Sequence, residues 1–449
     1  MQALLQDAAQ RGIRYLAGVN ERSVAPAPEA VADLTRFAES LPMTPTDPAQ
    51  ALAMLDDIGS PATVASAGGR YFGFVTGGSL PATVAASWLA TAWDNNVGVT
   101  VMSPVAAKLE EVALGWLVDL FGLPAGTGGG FVTGATMANF TGLAAARHAL
   151  LAQQGWNVEA QGLFGAPPLT VVVGDEVHVS LLKALSLLGL GRERVVRVPV
   201  DGQGRMRPDA LPALDERTIL CLQAGNVNTG AIDPLEQLCI SARQAGAWVH
   251  VDGAFGIWAA VAPARARLTS GLGEADSWAT DAHKWLNVPY DSGLVFCRNP
   301  EHIRQAMAAQ AAYLVQSDTR EPDAYTPELS RRARGVEVWA ALRSLGREGL
   351  ADLVERNCQY ATRFAEGLRA AGYTILNEVV LNQVLVSFGD DATTRRVIAA
   401  VQAEGTCWAG ATTWQGRAAM RISVSSWATT AADVERSLGA IIRMAKQIA

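Results

Sequence analysis

The chain has 449 residues, more than one ordinary domain and enough for a large domain plus a smaller one. Its 36 basic and 43 acidic residues leave a formal charge of −7 with no basic stripe, which argues against nucleic acid as a partner. Hydrophobic residues make up 49%, yet Gly, Pro or charge cuts every apolar run well short of the roughly 20 residues that span a membrane, so no transmembrane helix is expected.

The opening MQALLQDAAQRGIRYLAG reads as an amphipathic helix with charges inside it and lacks the apolar centre of a secretion signal. Five cysteines (Cys221, Cys239, Cys297, Cys358 and Cys407) are odd in number, widely separated and outside any CxxC spacing, which fits reduced thiols in a cytoplasmic protein. Pro26, Pro28, Pro42, Pro45 and Pro48 break the first stretch into short helices, so residues 1–65 are expected to form an N-terminal helical arm. After Pro104, the spacing of Leu109, Val112, Ala113, Trp116, Leu117 and Leu120 is that of one buried helix face.

From there strands and helices alternate. Strands are predicted at Gly130–Thr133, Leu169–Val173, Val195–Val198, Ile219–Gln223, Trp248–Asp252, Ser277–Thr280 and Leu294–Cys297. Several are continuous apolar runs, the mark of strands covered on both faces in a mostly parallel sheet. Helices at Met137–Leu151 and Pro234–Ala245 supply crossovers, so residues 66–305 read as a large α/β domain. Helices at Gly335–Leu345 and Leu350–Ala371, strands near Gln383–Phe388 and Ala419–Ser423, and a closing helix at Ala432–Lys446 make residues 306–449 a smaller α+β domain. Arg331, Arg332 and Arg334 read as a helix start facing solvent or phosphate.

Four stretches carry chemistry. In Asp281-Ala282-His283-Lys284-Trp285 a lysine follows a short strand among apolar neighbours; desolvation there would depress its pKa and let it attack an aldehyde to form an imine, although a lysine beside a strand is also an ordinary surface residue. In Val249-His250-Val251-Asp252-Gly253-Ala254 an acid ends a buried strand, where α/β sheets bind ligands. Such an acid calls for a cationic partner, and a protonated pyridine nitrogen is one; the alternative is a turn cap. Ala254 leaves room for a flat ring.

Gly128-Gly129-Gly130-Phe131-Val132-Thr133-Gly134-Ala135-Thr136-Met137-Ala138-Asn139 is a strand, a small-residue turn and a helix start. There the backbone amides and the Thr136 hydroxyl can approach a phosphate, or the segment is simply a tight turn. It matches neither a Walker loop nor a dinucleotide fingerprint. Asp175-Glu176-Val177-His178 places an imidazole at another strand end, able to stack on a pyridine ring or to serve the fold. No HExxH or clustered Cys/His spacing suggests a metal.

In this order the stretches resemble the group II decarboxylases that depend on pyridoxal 5′-phosphate (PLP), the aromatic-L-amino-acid and glutamate decarboxylase family. The likeness runs from about residue 70 to the C-terminus and rests on VHVDGAFG, on DAHKWL, whose lysine lies 32 residues after Asp252, and on HVSLLKALSLLGLG. It implies the fold-type I, aspartate aminotransferase-like architecture, PLP as cofactor, and a homodimer with shared active sites.

Carried onto this chain, the resemblance makes Lys284 the imine lysine, Asp252 the pyridine-nitrogen partner, Ala254 a ring-packing residue and His178 the stacking imidazole. His283 flanks the lysine. Gly134, Ala135 and Thr136 form the phosphate pocket, and Asp281, an anionic departure, stands where the family often has a polar phosphate-side residue. Asn228 or Thr229 bonds the ring hydroxyl, in a stretch where animal members tend to carry threonines. Tyr313, 29 residues after the lysine, matches a loop tyrosine that returns a proton to the substrate carbon, often across the subunit boundary. Arg421 matches an arginine that binds a substrate carboxylate in some members, or it makes an inter-domain ion pair.

The reaction implied is decarboxylation of an L-amino acid to the amine and CO2. Transamination or cleavage of another carbon–carbon bond, and a catalytically silent PLP-binding scaffold, are the alternatives. Trp88, Trp93, Trp285, Trp408, Trp414 and Trp427 either line an aromatic or apolar substrate pocket or fill the core.

Overall fold

The computed structural model describes residues 1–309 and 320–448. The chain opens with helices α1 (Gln2–Gly18), α2 (Pro28–Asp33) and α3 (Pro48–Ala62). Proline begins α2 and α3, where its missing N–H costs nothing, and the Asp47 carboxylate caps α3 by accepting from the Ala49 amide at 2.8 Å. A short strand β1 (Tyr71–Phe72) precedes α4 (Pro81–Trp93) and α5 (Pro104–Leu120).

The alternating region follows: β2 (Gly128–Val132), α6 (Ala135–Gln153), α7 (Val158–Gln161), β3 (Thr170–Gly174), α8 (Val179–Leu187), β4 (Val196–Val198) and β5 (Thr218–Gln223). It continues through α9 (Leu235–Gln244), β6 (Trp248–Asp252), β7 (Ser277–Asp281), β8 (Gly293–Cys297) and α10 (Pro300–Met307). The last stretch holds α11 (Arg334–Ala370), β9 (Thr374–Ile375), β10 (Gln383–Ser387), α12 (Asp391–Glu404), β11 (Trp408–Trp414), β12 (Arg417–Ser423) and α13 (Ala431–Ile448). Gly346, at φ +61°, interrupts α11 where the sequence predicts two helices.

The described chain divides into two compact units. One comprises Met1–Gly78, Tyr360–Leu376 and Val384–Ala449; the other comprises Ser79–Gln359 and Asn377–Gln383. This differs from the sequence-based boundaries at residues 65 and 305. Residues 1–78 share the first unit with C-terminal segments: β1 pairs in parallel with β11, the Val24 amide donates to the Gly405 carbonyl, and buried Arg70 donates to the Asn20 and Arg22 carbonyls. That unit contains the five-stranded sheet β1-β11-β12-β10-β9, with Leu385, Trp414 and Ala419 in its core.

The larger unit carries the seven-stranded sheet β2-β8-β7-β6-β5-β3-β4. Strands β3 to β7 run parallel, while β8 runs against both neighbours, β2 and β7. Every residue of β6, β7 and β8 is buried, as two covered faces require. Helix α6 packs into this core through Ala138, Leu143, Ala144 and Ala145. Because β2, β3, β5, β6 and β7 point the same way, their carboxyl ends share one edge of the sheet.

Arg331 ties residues past 305 into this unit. It does not face solvent or phosphate: its guanidinium is buried, donates to the Val97 and Phe131 carbonyls at 3.0 Å each, and forks onto both oxygens of buried Glu110 at 2.8 and 2.7 Å. Among the described residues no helix is long and apolar enough to cross a membrane, and all five cysteines are buried and unbridged. Removing one charge of a buried pair strands the other, so Glu110→Gln should cost about 3–5 kcal/mol in urea unfolding, whereas Glu111→Gln, whose side chain is exposed, should change it by no more than about 1 kcal/mol.

Candidate active site

The site is built where β6 and β7 end. Asp252 closes β6 and is 4% exposed; its Oδ1 accepts from the Ala254 amide at 3.2 Å and its Oδ2 from the Asn139 side-chain amide at 3.0 Å. In register it lies beside Gln223 of β5 and Ala279 of β7. Asp281 closes β7 and is also buried. One of its oxygens accepts from the Ala135 amide at 2.6 Å, and the other faces the Lys284 ammonium at 2.9 Å.

Lys284 does not carry the depressed pKa expected of a desolvated lysine. Burial pulls its pKa down, but the Asp281 carboxylate, aided by Asp252 and Tyr290, outweighs burial and holds the ammonium above its ordinary value. His283 is held below its ordinary value, chiefly by burial and against the pull of Asp281. Its ring stacks on Tyr290 at 4.3 Å, and its Nδ1 accepts from the Ser292 amide at 3.1 Å, which leaves the Nε2 proton on the side of Asp281, 3.6 Å away.

Gly134 precedes α6, and Gly293 of β8 passes so close that a Cβ on it would lie 2.4 Å from the Gly134 Cα. A Cβ on Gly134 would meet His283 Cε1 at 3.2 Å and Asp281 Oδ1 at 3.4 Å, so the absence of a side chain lets the helix start come close to both residues. With the Ala135 amide taken by Asp281, the Thr136 and Met137 amides remain at helix positions where geometry supplies no acceptor.

Other sequence candidates are placed as follows. His178 caps α8, its Nδ1 accepting from the Ser180 amide at 3.2 Å, at the end of β3 on the same sheet edge. Asn228 and Thr229 lie in the loop after β5, and their amides donate to the Asn226 side-chain oxygen. The Thr229 hydroxyl donates to the Gln203 carbonyl at 2.7 Å and accepts from the Ala231 amide, so it is spent within the fold rather than offered to a ligand. Ala254 is half-buried beside Asp252.

Arg421 lies on β12 of the other unit, its pKa lowered by burial. Tyr313 lies outside the described residues. Trp285 and Trp414 are core residues, 0% and 3% exposed, and so do not line an open pocket.

Sequence reasoning gave no role to Asn139 or His250, although both fall in the stretches it singled out, and it did not pick out Ser277 or Tyr290. Asn139 sits one helical turn into α6, three residues past Thr136. That spacing on a helix leaving the small-residue turn was the available signal.

A lysine amine paired with an acid, a strand-end carboxylate and a helix start ringed by small residues fit an aldehyde-bearing, phosphorylated pyridine. On this sheet they define a fold-type I PLP protein. The crystal structure of TDC from Oryza sativa with PLP and tryptamine superposes with a TM-score of 0.91 over 99% of this chain and 97% of that one, at 21% identity, a likeness of fold.

Residues 60–389 match the pyridoxal-dependent decarboxylase conserved domain, and the chain belongs to that family, with PLP as its cofactor. An aromatic-L-amino-acid decarboxylase from Bacillus atrophaeus is 28% identical over 69% of this chain and 65% of its own length. An L-tyrosine/L-DOPA decarboxylase from Lophophora williamsii is 30% identical over 66% of this chain and 59% of its own. The chain thus spans under two thirds of the length of these two relatives.

The raised Lys284 pKa has a kinetic consequence, because only the neutral amine attacks an aldehyde. Asp281→Asn removes the main group holding the proton on. The pH midpoint for covalent capture of PLP should therefore move downward, and capture at neutral pH should become severalfold faster, read as borohydride-fixed label against time.

Proposed function

We propose that this protein decarboxylates an L-amino acid, with an aromatic or other apolar side chain preferred, to the corresponding amine and CO2. The observation that carries the reading is the pairing of Lys284 with Asp281 at the end of β7, beside Asp252 at the end of the adjacent β6, in a chain of this family. The aromatic preference is supported by the aromatic substrates in the names of the two relatives above.

When bound, PLP supplies a protonated pyridine ring that takes up the electron pair left as the α-carboxylate departs. In this reading Lys284 is the covalent anchor, and Asp252 is the anionic partner of the pyridine nitrogen. Ala254 leaves room for the ring, His178 stacks on it, and Asn228 bonds its hydroxyl. Gly134, Ala135 and Thr136 hold the phosphate. Asp281 keeps Lys284 oriented, and His283 stands behind that carboxylate. Arg421 takes the substrate carboxylate, and Tyr313 returns a proton to the carbon that lost CO2.

We also infer a homodimer with shared sites. Support comes from the large apolar side chains that the larger unit exposes, Trp88, Leu89 and Trp93 of α4 and Val101 and Met102 in the segment that follows it. The reduced, buried cysteines support a cytoplasmic protein.

A panel of amino acids, with CO2, amine, aldehyde and keto acid measured together, tests the reaction: equal CO2 and amine support it, and keto acid without CO2 overturns it. Lys284→Ala should abolish the borohydride-fixed PLP label, and label on another lysine would displace the assignment. Asp252→Ala should lower kcat by about 10²–10³-fold, as expected when developing charge loses its fixed partner. Tyr313→Phe should lower the amine-forming rate by about 10²–10⁴-fold while CO2 release persists; unchanged amine yield and rate would remove Tyr313 from the mechanism.

A further inference from the structure

Behind Asp252 runs a chain of four buried side chains that the reaction above does not use. The Trp248 indole N–H donates to the Ser277 hydroxyl at 3.0 Å. Ser277 Oγ lies 2.8 Å from His250 Nδ1, His250 Nε2 lies 2.9 Å from Asn139 Oδ1, and the Asn139 Nδ2 group donates to Asp252 at 3.0 Å. Asn139, His250 and Ser277 are 0% exposed.

Chemistry fixes the direction of every link. Indole nitrogen only donates and a carboxylate only accepts, so Asn139 must turn its NH2 group to Asp252 and its oxygen to His250. The imidazole must then carry its proton on Nε2, and Nδ1 must accept from the Ser277 hydroxyl. The other tautomer would turn the Asn139 oxygen onto the Asp252 carboxylate, setting two acceptors against each other. Burial pushes the His250 pKa down to about 3, so the ring is neutral throughout the ordinary pH range and carries the single proton this chain requires. The helix makes room for the ring: a Cβ on Gly142, three residues after Asn139 in α6, would lie 2.8 Å from His250 Cε1 and 3.0 Å from Nδ1.

We propose that Asn139 and His250 are positioning residues for the cofactor's electron sink, presenting a one-way hydrogen-bond donor that fixes the Asp252 carboxylate toward the pyridine nitrogen. The inference rests on the reading of Asp252 given above. With Oδ2 held by Asn139 and Oδ1 by the Ala254 amide, each oxygen has one bond that sets its direction and further capacity to accept the ring N–H. Burial of a chain of polar groups is costly unless each is satisfied, and here each link is.

The test separates the two readings. The full-length protein, freed of cofactor, is titrated with PLP and with an analogue in which C–H replaces the ring nitrogen, following tryptophan fluorescence and, for PLP, the absorbance of the bound form. Wild type should prefer PLP. If Asp252→Asn leaves that preference intact, the reading of Asp252 itself fails.

If Asp252→Asn removes the preference, Asn139→Ala should reduce it about tenfold while affinity for the analogue stays within about twofold, the loss expected for one hydrogen bond to a charged group. Ser277→Ala, farther along the chain, should reduce it less and in the same direction, and it decides the matter if Asn139→Ala does not fold. A preference unchanged in both variants, or an equal loss for PLP and analogue, would show a merely structural role and overturn the proposal.

Discussion

One carboxylate, that of Asp281, joins parts of the site that arise far apart in the sequence. It is buried at the end of β7, and such a charge stays there only if it is bonded and paired. One oxygen takes the first amide of α6, and the other takes the Lys284 ammonium. The helix start and the lysine are therefore positioned by the same group, although β8 lies between β2 and β7 in the sheet. Helix α6 in turn brings Asn139 to Asp252.

Legibility in the sequence followed burial. Most strands of the large sheet could be read because they are short, largely apolar and largely buried runs, and β6 matches its predicted span of Trp248–Asp252. Strand β11 was missed because Trp408–Trp414 is mostly small and polar, with exposed or half-exposed positions at Ala411, Thr412 and Thr413. The boundaries of the two units were not legible either, since contacts between residues far apart in the chain, such as Arg331 with Glu110 across 221 positions, are not visible in a linear pattern. At the site, the strand-end residues could be named because chemistry and position coincide there. The spent hydroxyl of Thr229 and the raised pKa of Lys284 were beyond reach, because each is set by a partner that a linear pattern does not bring near.

Family membership and the local chemistry carry different weight. The family accounts for the cofactor and the frame around it. It says little of how this chain manages a buried Asp281 at the start of α6, where we propose the phosphate is held. The structure's answer is to pair that carboxylate with a helix amide and an ammonium, so its charge is already engaged within the protein.

Gly142 shows what such an arrangement does to the helix that carries it. Glycine inside a helix is about 1 kcal/mol less favourable than alanine, so this position would head any search for easy stabilising changes. Alanine there would press on the buried imidazole at 2.8 Å, against a ring hydrogen-bonded at both nitrogens and unable to step aside without breaking one of those bonds. A selection for heat resistance alone would therefore meet resistance at this one methyl group, where the helix's own propensity and the needs of its neighbour pull in opposite directions.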